Sequence, residues 1–132
     1  MLLSELILEK EMKPLTKADL DKLEHYLDAL YARDNIDFEF TRHFLDRVND
    51  ARNRRQITYN ELFQMFGKAE QKYGDKISKL GNKAQAVISD VNSNINSPFV
   101  LEWNPKKKMY DLIAKTVMRK KNFKTSNQVL KV

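Results

Sequence analysis

Three stretches of the chain repeat apolar residues at helical spacing, and others alternate them. Leu20, Leu23, Leu27, Leu30 and Tyr31 form the stripe of a helix. It starts at Thr16, which with Asp19 resembles a capping box, and ends near Arg33-Asp34-Asn35. Ile36-Asp-Phe-Glu-Phe40 alternates and predicts a short strand. Thr41 then caps a second helix with Phe44, Leu45 and Val48 on its buried side, which dissolves in the polar, basic linker Asn49 to Arg55. Thr58 with Glu61 makes a capping box for a third helix. Leu62, Phe63, Phe66, Ala69 and Tyr73 give its stripe, and Gly74 its C-terminal stop. Ile77 and Leu80 suggest one further turn, closed by Gly81.

From residue 84 the period changes. Ala86-Val-Ile88 fits a helical turn or a strand equally. Ile95, Ser97, Phe99, Leu101 and Trp103 alternate cleanly and predict a half-buried strand, with Pro98 near its beginning, where a missing donor is tolerated. Residues 104–108 form a turn, and the run from Met109 to Arg119 completes a hairpin. In one unbroken strand Tyr110, Leu112, Ala114, Thr116 and Met118 face the core, while Asp111, Ile113, Lys115, Val117 and Arg119 face outward. Helix, strand, two helices and then strands predict an α+β fold, N-terminal helices packed on a small antiparallel sheet with a C-terminal basic hairpin. Pro14 sets off residues 1–13 as a leader from a single domain at 14–132. The leader is apolar but carries acids and lacks a basic n-region, so it reads as a short docking helix or a disordered segment, not a secretory signal.

Composition removes several chemistries. There is no cysteine, which excludes disulfides, thiol catalysis and thiolate metal sites. His25 and His43 are too far apart to suggest zinc, the carboxylates are scattered, and no glycine-rich phosphate loop occurs, so neither metal nor cofactor is expected. No apolar run approaches the roughly 18 residues of a membrane span, and the lack of cysteine suits a reducing, cytoplasmic interior.

Charge adds a positive signal. The net charge of +6 is local: residues 104–132 hold nine Lys and Arg against one acid, Asp111. Clustered cations remain effective at a distance where scattered ones are screened, so a polyanion is the expected partner, with RNA favoured. His43 and Arg47, four apart, share one helix face. A histidine there can move a proton and an arginine can clamp phosphate, although a boundary histidine beside an Arg47–Asp46 or Arg47–Asp50 pair explains the same spacing. On the hairpin, Lys115, Arg119, Lys120, Lys121 and Lys124 can hold phosphates and Phe123 can stack on a base; lysines on an edge strand also discourage aggregation. Arg54 and Arg55 in the linker extend the basic set. The activity that fits is metal-independent cleavage of RNA, with His43 as base or acid and Arg47, Lys115 and Arg119 as the clamp.

Two resemblances follow from particular residues. Phe40-Thr-Arg-His43-Phe-Leu-Asp-Arg47, then Gln56-Ile-Thr-Tyr-Asn-Glu61, then Thr116-Val-Met-Arg119 resembles RelE- and BrnT-type toxins of the barnase, EndoU, colicin and RelE group, over residues 36–121. That resemblance implies a small ribonuclease fold with His43, Arg47, Thr116 and Arg119 at its cleft. Phe44 to Asp50, Pro98 to Trp103 and Lys115 to Thr125 look like segments of proteins from large T-even-type marine phages, and Ile7-Leu8-Glu9 is similar to a head-protein cleavage site. The alternative implied is a non-catalytic virion protein, internal to the head, contacting DNA, the capsid or another phage protein.

Overall fold

Both capping boxes form. In this computed structural model, which describes residues 13–132, helix α1 spans Lys17–Tyr31. Thr16 Oγ1 accepts from the Asp19 N–H at 3.1 Å, and the Asp19 carboxylate accepts from the Thr16 N–H at 2.9 Å. A 3-10 turn at Ala32–Asp34 closes on Asn35, whose φ of 61° is the left-handed conformation that asparagine tolerates. Strand β1 is Ile36–Phe40, and helix α2 is Arg42–Val48, capped by Thr41. After a second 3-10 turn at Ala51–Asn53 comes helix α3, Tyr59–Ser78, with Thr58 and Glu61 in their capping box. The leader and its Ile7-Leu8-Glu9 sequence lie outside the described residues.

Gly74 does not stop α3, which runs four residues further to Ser78. Its lack of a side chain answers to packing instead. A Cβ there would stand 2.6 Å from the Asp34 carboxylate.

The remaining strands are β2 (Gln85–Ser89), β3 (Ile95–Asn104), β4 (Met109–Ala114), β5 (Met118–Arg119) and β6 (Gln128–Lys131). They make one six-stranded sheet in the order β1-β4-β3-β2-β6, with β5 paired to the start of β3. The α+β class is as expected, but the sheet is mixed. Its β2-β3-β4 centre is antiparallel, while β1 runs parallel to β4 and β6 parallel to β2. Both parallel pairs join strands distant in sequence, where no hairpin turn imposes an antiparallel course.

Register puts Phe38 opposite Leu112, and Leu112 opposite Leu101. All three are buried against α1 and α3, with Leu23, Leu27, Leu62 and Phe66. Phe38 lies edge-on to Phe66 and Tyr31 at 4.9 and 5.0 Å between centroids, and the buried Tyr31 hydroxyl donates to the Phe66 carbonyl at 2.6 Å. At the open edge of β1, the Phe38 N–H donates to Asp28 Oδ1 at 2.6 Å and the Phe40 N–H to Glu24 Oε1 at 3.3 Å. Carboxylates of α1 thereby occupy an edge that would otherwise offer free donors to another strand.

The run from Met109 to Arg119 is not one strand. Phe99 pairs with Ala114, yet Asn96 pairs with Met118, so one extra residue sits on the outer strand between them. This is a β-bulge, and Pro98 explains it. Lys115 N–H donates to the Pro98 carbonyl at 3.2 Å, but proline has no N–H to return. The Thr41 hydroxyl donates to the Lys115 carbonyl instead, at 2.8 Å, and Ser97 Oγ donates to the Thr116 carbonyl at 3.2 Å. The slip reverses the expected faces. Val117 enters the core, while Thr116 leaves it.

Candidate nucleic-acid interface

The bulge and β5 form one wall of a cleft of about 960 Å³; the end of α2 and the loop after it form the other. His43, Arg47, Arg54, Arg55, Thr116, Arg119, Lys120 and Lys121 all line it, so most of the residues singled out in the sequence are brought together. Lys115, Phe123 and Lys124 are not among its lining residues. Lys115 is held at the bulge by its backbone, while Phe123 and Lys124 lie beyond, on the connection to β6. Asp50, Arg52, Asn53, Asn94, Val117 and Met118 complete the lining.

Asn53 ties the two walls together. Only 4% exposed, it donates through Nδ2 to the Arg47 carbonyl at 2.8 Å, and its Oδ1 accepts from the Arg119 N–H at 2.9 Å. Nothing in the local sequence marks it, because its partners lie 66 residues apart from it or on the preceding helix end. Next to it, Arg54 has φ 66° and ψ −41°, and the Arg55 N–H donates to the Asn53 carbonyl at 2.7 Å. That is a γ-turn on the positive-φ side, a rare and strained conformation for a residue with a Cβ. Strain of this kind persists only where neighbouring contacts fix the chain on both sides, which Asn53 does here.

The cations divide by partner. Arg119 is only 11% exposed along its side chain and makes a two-pronged ion pair with Glu61 at 2.8 and 2.9 Å. It also donates to the Ser93 and Gln56 carbonyls, at 3.0 and 3.2 Å. Its guanidinium thus holds β5 on α3 through both terminal nitrogens, while its buried Nε has no hydrogen-bond partner among the described residues. Glu61 serves twice, as α3 cap and as this counter-ion. Burial pushes its carboxyl up, but hydrogen bonds from Arg119 and the Thr58 N–H outweigh that and leave it below its ordinary value.

Arg47 donates to Asp50 at 3.1 Å and, through Nε, to His43 Nε2 at 3.3 Å. This fixes the imidazole proton on Nδ1 as long as His43 is neutral. Asp50 also receives Arg52 at 2.9 Å. Arg55 approaches Glu61 only to 3.6 Å. The side chains of Arg54, Lys120 and Lys121 are exposed and have no hydrogen-bond or ion-pair partner among the described residues. Asp50 is the one carboxylate among the lining residues, and no Phe, Tyr or Trp is among them.

Among the described residues no three His, Asp or Glu side chains are grouped to hold a metal ion, and no helix is long and apolar enough to cross a membrane. Comparisons with protein-family models, characterised proteins and solved structures found no match to this chain.

Proposed function

We propose that this chain binds RNA or another nucleic acid, gripping the phosphate backbone in the cleft between α2 and β5. The observation that carries this reading is the convergence of Arg54, Lys120 and Lys121, without acidic partners, on one concave surface. Unpaired cations release counterions from a polyanion, whereas Arg47 and Arg119 are already neutralised by Asp50 and Glu61. With no Phe, Tyr or Trp in the lining, contact there is chiefly to phosphate.

The test is affinity for a labelled single-stranded RNA across 50–200 mM salt. Replacing Lys120 and Lys121 with Ala removes two phosphate contacts, so the slope of log affinity against log salt should fall by about 1.4. An unchanged slope, or no binding to RNA or DNA, defeats the reading.

Metal-independent cleavage of RNA is a second reading, favoured by one observation. His43 lines the same cleft, is exposed, and has no carboxylate partner among the described residues. To take a 2′-hydroxyl proton it would have to give up the Arg47 contact at Nε2, and Arg54 would replace Arg119 as the cation beside the phosphate. Cleavage in the presence of a chelator that His43→Ala abolishes, with binding retained, is the required result. RNA left intact at high protein concentration rejects catalysis and leaves binding standing.

A further inference from the structure

On the face of the sheet that packs against the helices, β3 presents Phe99, Leu101 and Trp103 in turn. Phe99 and Leu101 are 2% and 0% exposed, but Trp103 is 42% exposed. It is the point at which the strand passes beyond the cover of the helices. Its cross-strand partner Tyr110 stands edge-on at 5.0 Å and 68°, which fixes one side of the indole. The backbone around it is pinned as well. Trp103 N–H donates to Asn82 Oδ1 at 2.8 Å, and the neighbouring Lys83 N–H donates to the Leu101 carbonyl at 2.7 Å.

Lysines flank this pair. Lys83 lies on the loop just pinned to β3, and Lys106 and Lys108 on the turn that joins Trp103's strand to Tyr110's. All three are exposed, and none has a side-chain partner among the described residues. Lys107 differs: Asp37 and Asp111 hold it, on the other face. An indole backed by Tyr110, with exposed lysines on the loop pinned to its strand and on the turn beside it, matches the combination that takes an unpaired nucleotide, the ring stacking on the base and the lysines meeting phosphates. Paired bases offer no free face for this.

Resting on the nucleic-acid reading above, we infer that Trp103, backed by Tyr110, is a stacking platform for an unpaired base, and that the nucleic acid this protein takes is single-stranded. The platform and the basic cleft sit at opposite ends of β3. Eight residue steps separate Trp103 from Ile95, about 26 Å at ~3.3 Å per residue, so each can be disabled without touching the other.

Trp103 is the chain's only tryptophan, and its emission reports directly on stacking. The full chain is titrated with a ten-nucleotide oligouridine, with an abasic strand of the same length, and with a duplex. Oligouridine should quench the emission, while the abasic strand and the duplex leave it unchanged at saturation. Trp103→Ala should weaken oligouridine binding roughly tenfold, Trp103→Phe much less, and neither should alter abasic binding. The inference is overturned if emission is unchanged by saturating oligouridine, or if Trp103→Ala binds it like the wild type while the Lys120 and Lys121 replacements still weaken it. If those replacements also have no effect, the cleft reading fails with it; if they alone have no effect while Trp103→Ala weakens binding, the cleft reading fails and the platform stands.

Discussion

Arg54 offers the most discriminating single substitution, because strain and charge at that position act in opposite directions. Its φ of 66° with ψ −41° places a residue bearing a Cβ in a conformation natural to glycine. Holding a non-glycine residue there costs on the order of 1–3 kcal/mol. Arg54→Gly releases that strain but widens the unfolded ensemble, which returns about 0.4–1 kcal/mol. The net expectation is about 1 kcal/mol of added stability. Unfolding entropy is about 2.1 cal/mol/K per residue, so 132 residues give a rise in Tm of roughly 3–4 °C. No lost contact opposes this, since the Arg54 side chain has no partner among the described residues.

Nucleic-acid binding should move the other way. Losing one unpaired cation from the cleft lowers the salt slope by about 0.7 for a single strand. Arg54→Ala separates the two effects: it removes the same charge but keeps the Cβ, so affinity falls as far while Tm does not rise. Thermal melts and RNA binding on the three proteins decide the matter. Equal melting temperatures for the Gly and Ala variants would refute the strain argument. A gain in stability with unchanged affinity would show that the turn is strained for some purpose other than holding Arg54 in the cleft.

Two further expectations concern titration. Burial, then the nearby Asp37 and Glu24 carboxylates, pushes Asp28 up to about 7 despite its bond from the Phe38 N–H. Because its proton is held more tightly in the folded state, stability is greatest at low pH and is lost as pH rises through about 7. With the side chain partly exposed and screened, ~1–2 kcal/mol is expected between pH 5.5 and 8.5, and Asp28→Asn should flatten that slope in urea melts; a wild-type slope in the variant would refute it. Glu61 works in reverse. Its depressed carboxyl contributes above its ordinary value of 4.5 and is lost as pH falls below it. Glu61→Gln leaves the buried Arg119 uncompensated and should cost about 2–3 kcal/mol at pH 7, and less in acid once the wild-type carboxyl has itself taken up a proton. A cost that does not shrink in acid would mean that the cap, and not the ion pair, is what the substitution removes.

The parts legible in the sequence were those whose cause is local. Thr16 with Asp19 and Thr58 with Glu61 announce helix starts within four residues, and the alternation from Ile95 to Trp103 announces a strand wherever it pairs. The parallel partners of β1 and β2 were not legible, because no turn joins them and their register is set by burial across the whole sheet. β6 is a four-residue strand held by distant parts of the chain, the edge of β2 and the Lys72 and Tyr73 side chains of α3, which donate to the Lys131 carbonyl. Glu61 was visible as a cap but not as the counter-ion of Arg119, since the two are 58 residues apart.

Pro98 joins these two kinds of information. In the sequence it is a tolerable proline near a strand's beginning; in the sheet it withholds the N–H that Lys115 opposite it requires. The ladder with β4 therefore cannot continue, one residue bulges out, and Met118 and Arg119 re-pair a step out of phase. That slip moves Thr116 to the cleft and sends Val117 into the core. It also turns the guanidinium of Arg119 toward Glu61, leaving Lys120 and Lys121 as the unpaired cations at the end of the strand. The basic run thus works by where the ladder breaks. Of the cations it brings to the cleft, the most buried anchors β5 to α3, and the most exposed are left without a partner among the described residues.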